Sequence, residues 1–312
     1  MSRPGTGGRE SRRERDSLRL SRFGALPRVG IIGPGRAGLG LALALKHAGV
    51  RVLGLHGRRD KPMPRGLPLS TGHAIPWLDR ADVVVLAVRD DLLTPLVRGL
   101  RGARAPHRGQ VVLHLSGALS SELLAPLRSG GAAVGGLHPL MTVSADPRRA
   151  ARHFRGATFA IEGDPAAVRA ARRMVRALGG MSVAIAPGAK TLYHAGAVFA
   201  SNYIVTLLAA AERLLIRAGF PREAARAAAF PLSAASVANA AAAGPASALT
   251  GPVARGDAAT VRRHLAALPS ELRALYRAVG LATLDLAREA GLSPRAARAV
   301  RAALARPTRA LR

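Results

Sequence analysis

The chain has 312 residues, which suggests about two domains, and its 49% of hydrophobic residues allow a substantial core. It contains no cysteine, which excludes disulfide bonds and thiolate chemistry. Its formal net charge of +29 would suit a nucleic-acid partner, but the arginines are scattered along the whole chain and only 3% of the residues are aromatic. Without a basic stripe or aromatic stacking platforms, we do not expect specific nucleic-acid binding.

Both ends of the chain are polar and basic. Residues 1–27 are predicted to be a disordered basic tail, and residues 307–312 a second basic tail. The first tail lacks the apolar segment of a secretory signal, so we expect a cytoplasmic protein. The longest uncharged helical run, residues 195–211, is shorter than the roughly 20 apolar residues of a membrane span. It is therefore predicted to be a buried helix, and we expect no membrane contact.

Residues 28–187 alternate between short apolar runs and helical patterns. The predicted strands are RVGII, RVLGLHG, ADVVVLAV, QVVLHLSG, AAVGGLHPL, ATFAIEG and MSVAIAP. Helices are predicted for segments between them, including DDLLTPLVRGL and SSELLAPLRSG, with Ser120 or Ser121 as a cap of the second. Continuous apolar strands that alternate with helices predict a parallel, doubly wound, Rossmann-like α/β domain.

Residues 188–306 have a helical pattern throughout, with Ala, Leu and Arg at helical spacing. We therefore predict an all-α C-terminal domain that contributes to substrate binding and dimerisation. Its segment LTGPVARGD contains two residues of interest. Arg255 is a candidate clamp for a substrate carboxylate, because its planar guanidinium group suits that task, and Asp257 is expected to cap the next helix.

The first predicted strand leads into a glycine-rich loop, GPGRAG, with glycines at 33, 35 and 38. This G-x-G-x-x-G spacing, between a strand and an apolar helix, is typical of a dinucleotide site, in which the helix N-terminus faces a pyrophosphate. The alternative is a structural turn without a ligand. The predicted phosphate-binding residues of the loop are Gly33, Pro34, Gly35, Arg36, Ala37 and Gly38.

The end of the second strand indicates which nucleotide is bound. An NAD-preferring site usually carries Asp or Glu about 20 residues beyond the loop. Here no carboxylate precedes Asp60, and the strand is followed by Arg58 and Arg59. Two arginines suit a 2′-phosphate, so the sequence favours NADP over NAD, although arginine is frequent in every loop of this chain.

Three segments end at the carboxyl edge of the predicted sheet, where ligands bind in open α/β folds. LAVRDD contributes Ala87 and Val88 to the expected cofactor surface. HLSGALS contributes Ser116, a candidate for contact with both cofactor and substrate, and LHPLMTV contributes His138, a candidate substrate contact. The alternatives are a helix cap for Ser116 and a structural role for His138.

The segment GAKTLYHAGAVFASNY begins the helical half and contains one of only three lysines, at position 190. Lys190 and His194 are four residues apart, so one helix face presents both. Either can give a proton to a developing alkoxide, and Ser201 and Asn202 can hold a polar substrate group. The alternative is a lysine that reaches solvent while the other three bond within a helix interface. The nine histidines show no metal-binding spacing, so no metal is expected.

The combination of GPGRAG, LAVRDD, HLSGALS, LHPLMTV, KTLYHAGAVFASNY and LTGPVARGD resembles bacterial Rossmann-like proteins regarded as NADP oxidoreductases, which carry a C-terminal helical domain of unknown function. The resemblance runs from about residue 28 to about residue 290. More distantly, the chain is similar to pyrroline-5-carboxylate reductase, prephenate dehydrogenase, ketopantoate reductase and β-hydroxyacid dehydrogenases. Several of those place Lys and Asn four apart on the first helix after the sheet, where this chain has Lys190 and His194.

The resemblance implies a homodimeric oxidoreductase that transfers a hydride between NADP(H) and a small carbonyl or imine, with a carboxylic acid as the expected substrate. A non-catalytic NADP-sensing protein and a ketopantoate-type reductase are the alternatives. The substrate, the direction of the reaction and the participation of a deazaflavin are left open by the sequence.

Overall fold

A computed structural model describes residues 26–101, 106–186 and 188–305. The C-terminal tail and nearly all of the N-terminal tail lie outside the described residues. The described chain divides into two compact units, one up to Ser201 and the other from Asn202. The last strand ends at Ala184, before the predicted domain boundary at 187, whereas the two units divide between Ser201 and Asn202, so the first helical turns after the sheet belong to the first unit.

The first unit contains one eight-stranded sheet in the order β3-β2-β1-β4-β5-β6-β7-β8. All neighbouring strands are parallel except β6 and β7, which are antiparallel. The predicted doubly wound α/β fold is thus confirmed, with one antiparallel pair near its edge. The strands are β1 (Val29–Ile32), β2 (Val52–His56), β3 (Leu69–Ser70), β4 (Val83–Leu86), β5 (Val111–His114), β6 (Ala133–Pro139), β7 (Thr158–Gly163) and β8 (Met181–Ala184).

Helices cover both faces of this sheet, which explains why its central strands are apolar without alternation. One face is covered by helices whose side chains join a core around Leu41, Phe154 and Phe159. The other face packs around Trp77, Leu93 and Leu124. The helices of this unit are α1 (Arg36–His47), α2 (Asp90–Leu100), α3 (Pro147–Phe154), α4 (Pro165–Ala177) and α5 (Lys190–Val198), with 3₁₀ segments at Leu78–Arg80 and Ser121–Gly130.

The second unit is entirely helical in its described part, as predicted. Its core is aliphatic and includes Val261, Leu265, Leu284 and Leu304. Asp257 caps the helix that follows it, since its side chain accepts a hydrogen bond from the Thr260 backbone N–H. The helices are α6 (Ile204–Arg217), α7 (Arg222–Ala243), α8 (Pro245–Ala248), α9 (Ala258–Ala267), α10 (Ser270–Glu289) and α11 (Pro294–Ala305).

A π-helical segment, Phe199–Tyr203, joins α5 to α6, so that Lys190–Arg217 is one continuous 28-residue helix. The prediction of a buried helix at 195–211 is wrong. Phe199 is 67% exposed and Val205 is 65% exposed. By length and composition alone the helix could span a membrane, and only 6% of its most apolar stretch is buried. The helical pattern identified the element but not whether its apolar side chains are covered.

Candidate functional site

Four neighbouring strands, β1, β4, β5 and β6, end at the same edge of the sheet. The glycine loop follows β1, and the segment with Ala87 and Val88 follows β4. Ser116 follows β5, and His138 is near the end of β6. The order of the chain reverses between β1 and β4, so this edge contains the switch point at which open α/β sheets bind ligands.

Two glycines of the loop are needed for close packing. Gly33 has a φ of +106°, which disfavours other residues. A Cβ atom at Gly33 would lie 2.5 Å from the Ala87 carbonyl oxygen, and one at Gly38 would lie 2.0 Å from the Gly33 carbonyl oxygen. The loop therefore rests directly on the segment after β4, and α1 rests directly on the loop.

Gly35 is different because a Cβ atom there would have no neighbour within 4 Å. It is the N-cap residue of α1, no side chain caps this helix, and the first turn contains no acidic residue. The N-terminus of α1 therefore presents N–H groups to an open space that Gly35 leaves free. Arg36 and Gly35 are exposed, whereas Ala37 is half-buried. Such an N-terminus favours a bound anion.

A cavity of about 380 Å³ lies beside the loop. It is lined by Gly33 and Pro34 of the loop, by Arg58 after β2, and by Val88, and it continues along α2. The exposed Arg58 thus lies where the sequence predicted it, next to the glycine loop. Arg59 is also exposed, but it is not among the lining residues.

The end of β2 carries further polar groups that sequence reasoning missed. Nδ1 of His56 lies 3.0 Å from Oγ of Ser70, and burial lowers the pKa of His56. Nζ of Lys61 donates a hydrogen bond to the Pro34 carbonyl oxygen of the glycine loop. Lys61 therefore adds a positive charge beside the loop, which its unremarkable sequence context did not indicate.

Ser116 is buried, and its hydroxyl oxygen accepts hydrogen bonds from the backbone N–H groups of Ala118 and Leu119. The sequence offered a helix cap as the alternative to ligand contact, but this hydroxyl bonds to the local backbone, and the next helical segment is capped by Ser120. The next residue, Gly117, faces two imidazole rings. A Cβ atom at Gly117 would lie 2.6 Å from Nδ1 of His194 and 2.7 Å from Nε2 of His138.

The imidazole rings of His138 and His194 lie close together at this edge of the sheet. The ring centroids of His138 and His194 are 6.0 Å apart, and Nδ1 of His194 is buried without a hydrogen-bond partner among the described residues. Burial and the positive charge of Lys190 lower the pKa of His138 to about 4. His138 is therefore neutral at pH 7 and has one N–H group to donate.

Tyr193 is the hydrogen-bond partner of one nitrogen of His138. Its hydroxyl oxygen lies 2.7 Å from Nδ1 of His138, and burial raises the pKa of Tyr193 to about 12, so the hydroxyl keeps its proton. When the hydroxyl donates this bond, Nδ1 is the acceptor and the imidazole N–H is at Nε2. Nε2 is the atom that faces Gly117 and His194.

Lys190 lies on the same helix face as His194, as predicted, but it does not reach solvent. Its side chain is 3% exposed, and Nζ lies 3.2 Å from Oε1 of Glu162, whose side chain is 6% exposed. Burial lowers the pKa of Lys190, although the negative charges of Glu162 and Asp90 partly oppose this effect. The snorkelling alternative is therefore wrong for Lys190.

Three further substrate residues were predicted from the sequence. Ser201 is half-buried at the end of the first unit, whereas Asn202 and Arg255 are exposed in the second. Their roles remain predictions.

Conversely, sequence reasoning missed Tyr193, Glu162 and His114. Tyr193 follows Lys190 by three residues, and this helical spacing could have revealed it. Glu162 and His114 lie on strands far from Lys190 in the sequence, and no spacing rule links them. Within the described ranges, no cluster of His, Asp and Glu is arranged to hold a metal ion.

Two family models match the sequence. Residues 13–139 match a Rossmann-like domain, and residues 157–283 match a domain of unknown function, DUF2520. No curated protein sequence matches the chain significantly.

Solved structures share the fold at low sequence identity. A Bacteroides fragilis protein provisionally named an NADP oxidoreductase has a TM-score of 0.65 at 19% identity, over 83% of this chain and 98% of its own. A Thermotoga maritima protein has a TM-score of 0.62 at 20% identity, over 84% of this chain and 98% of its own. Pyrroline carboxylate reductase of Plasmodium falciparum, solved with NADP bound, has a TM-score of 0.53 at 14% identity, over 89% of this chain and 98% of its own. At these identities the similarity establishes the fold.

Proposed function

Since the chain joins a Rossmann-like domain to a DUF2520 domain, we propose that it is an oxidoreductase that transfers a hydride between NADP(H) and a small carbonyl or imine substrate. One observation carries this proposal. A single sheet edge has a glycine loop after β1 that leads into a helix without a side-chain cap, and near the end of β6 the half-buried imidazole of His138 lies beside that of His194. The solved relatives named as NADP oxidoreductase and as pyrroline carboxylate reductase support the same class of reaction.

The residues of the glycine loop fit a dinucleotide. Gly35 leaves open space in front of the N–H groups of α1, and no side chain competes for those donors. A pyrophosphate would accept hydrogen bonds there. The neighbouring residues of the cofactor site are Gly33, Pro34, Arg36, Ala37, Gly38, Ala87 and Val88, while Ser116 supports the loop after β5.

The positive charges near β2 favour NADP over NAD. Arg58 lines the cavity, and Lys61 is held against Pro34. The carboxylate that would hold a ribose 2′-hydroxyl is missing at the end of β2, which has His56 in that place. A 2′-phosphate would therefore meet guanidinium and ammonium groups, with Arg59 as a further exposed partner.

Bound NADPH would supply a hydride, and the protein must supply the proton that the reduced carbonyl or imine requires. The arrangement of Tyr193 and His138 supports the Nε2–H group of His138 as the donor. A neutral imidazole can polarise a carbonyl through this N–H without carrying a charge into a buried site. His194 lies beside the same face of Gly117 as His138 and is the second candidate for substrate contact.

In this proposal Lys190 does not donate the proton itself but acts on His138 through its positive charge. Gly136 and His138 lie on the same face of β6, and a Cβ atom at Gly136 would be 2.9 Å from Nζ of Lys190. Since Gly136 is further from the carboxyl edge than His138, the ammonium group lies beneath the imidazole. From there its charge acts on His138 through space.

The helical domain supplies the remaining elements of the proposal. Ser201 and Asn202 are candidates for holding a polar substrate group, and Arg255 is a candidate for binding a substrate carboxylate, which would make the substrate a small carboxylic acid. The exposed apolar side chains of α6 and α7 support a homodimer formed by this domain. We place the protein in the cytoplasm on its sequence alone.

Isothermal calorimetry with NADPH and NADH tests the cofactor assignment. We expect NADPH to bind more tightly than NADH, and Arg58→Ala to weaken NADPH binding while leaving NADH binding unchanged. Arg51→Ala, at an exposed arginine before β2, is the matched control and should change neither affinity. Equal binding of both nucleotides by the wild type would contradict the NADP assignment, and binding of neither would contradict the proposed function.

A further inference from the structure

The buried ion pair of Lys190 and Glu162 lies over a position of the sheet that has no side chain. His114, Gly136 and Glu162 are register partners on the adjacent strands β5, β6 and β7. Cross-strand partners project to the same face of a sheet, so these residues form a row in which only Gly136 has no side chain. Nζ of Lys190 fills the space above Gly136.

The space at Gly136 is closely matched to the ammonium group. A Cβ atom there would lie 2.9 Å from Nζ of Lys190 and 3.2 Å from Cγ and Oε1 of Glu162. Oε1 of Glu162 also accepts a hydrogen bond of 2.9 Å from the Ser121 backbone N–H. The carboxylate is thus held by a second group, which makes it a fixed counter-ion.

The ion pair fixes the beginning of α5. The N-cap residue Ala189 has no side-chain cap hydrogen bond. Lys190, Tyr193 and His194 are related by three and four positions and lie on one helix face. Fixing Lys190 over Gly136 therefore places Tyr193 against His138 and His194 against Gly117, at the contacts described above.

We propose that Glu162 is a positioning residue: together with Gly136 it forms a socket for the Lys190 ammonium group, and this socket sets the position of Tyr193 and His194 relative to His138. This inference rests on the proposed function in one respect: the proposed function gives the imidazole pair its role in catalysis. A buried ion pair contributes little net stability compared with apolar side chains, but it is strongly directional. Its presence here is better explained by positioning than by stability.

Asp90, His114 and His138 are the other titratable groups that act on Lys190 or respond to its charge. Asp90 is the first residue of α2 and is exposed, so Glu162 is the buried partner. The socket therefore depends on Glu162 more than on Asp90.

Imidazole ¹⁵N NMR of the full chain without nucleotide tests the proposal. In the wild type we expect Nδ1 of His138 to be a hydrogen-bond acceptor and Nε2 to be protonated. In Glu162→Gln and in Gly136→Ala this pattern is lost, because the ammonium group is displaced or left without its counter-ion. Glu122→Gln, in an exposed ion pair with Arg128, and Gly99→Ala, which has open space for a Cβ atom, are matched controls that should keep it.

A second variant covers the case in which Glu162→Gln does not fold. Glu162→Gln combined with Lys190→Met removes both charges, and neutral replacement of a buried pair is generally tolerated. We expect this double variant to fold and to lose the ordered Tyr193–His138 hydrogen bond. Retention of the wild-type His138 signals in the folded double variant, or in folded Gly136→Ala, would overturn the positioning role.

The same samples separate this inference from the proposed function. NADPH affinity should be unchanged in Glu162→Gln and Gly136→Ala, because the glycine loop is not part of the socket. If the wild type binds no NADPH, the proposed function fails, whereas the His138 signals still report on the socket.

Discussion

The hydroxyl group of Tyr193 lies 2.7 Å from Nδ1 of His138, and we propose that it favours the tautomer with the proton at Nε2. In Tyr193→Phe we expect His138 to populate both tautomers, which ¹⁵N NMR measures directly. Loss of one hydrogen bond should reduce the free energy of unfolding by about 1 kcal/mol. Turnover should fall more than substrate affinity, since the proton donor is no longer fixed.

The helical unit offers a matched control for this variant. Tyr276 and His264 form the same type of contact, with 2.8 Å between the hydroxyl oxygen and Nδ1 and ring centroids 5.9 Å apart. Tyr276→Phe should change the spectrum of His264 and leave that of His138 unaltered. A wild-type His138 spectrum in Tyr193→Phe would contradict the role of Tyr193.

The buried His114 and the half-buried His138 should make the free energy of unfolding depend on pH. Burial and the charge of Lys190 hold the pKa of both His114 and His138 at about 4, below the ordinary histidine value of 6.5. Between these two pH values the unfolded chain binds more protons than the folded chain, so stability is lost as the pH falls from 6.5 towards 4 and is fully present above 6.5. The loss is on the order of 3 kcal/mol for each histidine.

Urea denaturation at pH 7 and at pH 5 measures this loss. In the double variant His114→Gln/His138→Gln the difference between the two pH values should be smaller than in the wild type. An identical difference in the two proteins would show that other groups cause the pH dependence.

Two glycines at the junction of β1 and α1 have different expected roles: Gly35 in ligand binding and Gly38 in packing. Gly35→Ala adds a Cβ atom to open space, whereas Gly38→Ala places one 2.0 Å from the Gly33 carbonyl oxygen. We therefore expect Gly35→Ala to keep the wild-type melting temperature but to weaken NADPH binding. Gly38→Ala should lower the melting temperature. Calorimetry and thermal unfolding distinguish the two, and unchanged NADPH affinity in Gly35→Ala would contradict a pyrophosphate site there.

Most elements of the α/β unit were predictable from the sequence. Strands such as β4 and β5 are buried on both faces, so they appear as continuous apolar runs. The two-residue strand β3 and the short helix α3 were missed. β3 lies in a Pro-rich loop, and α3 is one of the most polar helices, PRRAARHF, with only one side buried. Neither has enough apolar residues to show a period.

The candidate site was predictable only in part, because its contacts connect distant segments. Spacing alone related Lys190 to His194 on one helix. The partner of Lys190 is Glu162, 28 residues earlier on β7, and Gly136 makes room for both. Only the register of β5, β6 and β7 brings these residues together. Ser116 matched the ligand pattern equally well, yet its hydroxyl oxygen serves the local backbone.

At the scale of the whole molecule, two long segments of the helical region contain no charged residue. Charged residues make up 21% of the chain, yet none occurs at residues 191–211 or at residues 227–254. In the second of these segments Leu232 is 71% exposed and Val237 is 53% exposed. Large exposed apolar patches are typical of interaction sites, and we propose that these side chains form one. A second copy of the chain is the partner that the proposed homodimer requires.

Sedimentation of the wild type should therefore give a dimer at micromolar concentration. Leu232→Arg/Val237→Arg should give a monomer that still binds NADPH, because the glycine loop belongs to the other unit. Ala259→Arg, at an exposed position of α9, is the control and should stay dimeric. A monomeric wild type would contradict the homodimer, and flotation with lipid vesicles would indicate a membrane surface as the partner instead.

We propose that this protein moves a hydride between NADPH and a small carbonyl or imine at the edge that carries His138 and His194. The most direct measurement is transfer of deuterium from [4-²H]NADPH to a panel of small keto acids, ketones and imines, read by mass spectrometry. We predict a deuterated product with the wild type, loss of it with Gly35→Asp, and a decrease of about 10²- to 10⁴-fold with His138→Gln. NADPH that binds tightly but gives no deuterated product would contradict the enzyme assignment, and transfer unaffected by both His138→Gln and His194→Gln would contradict the site.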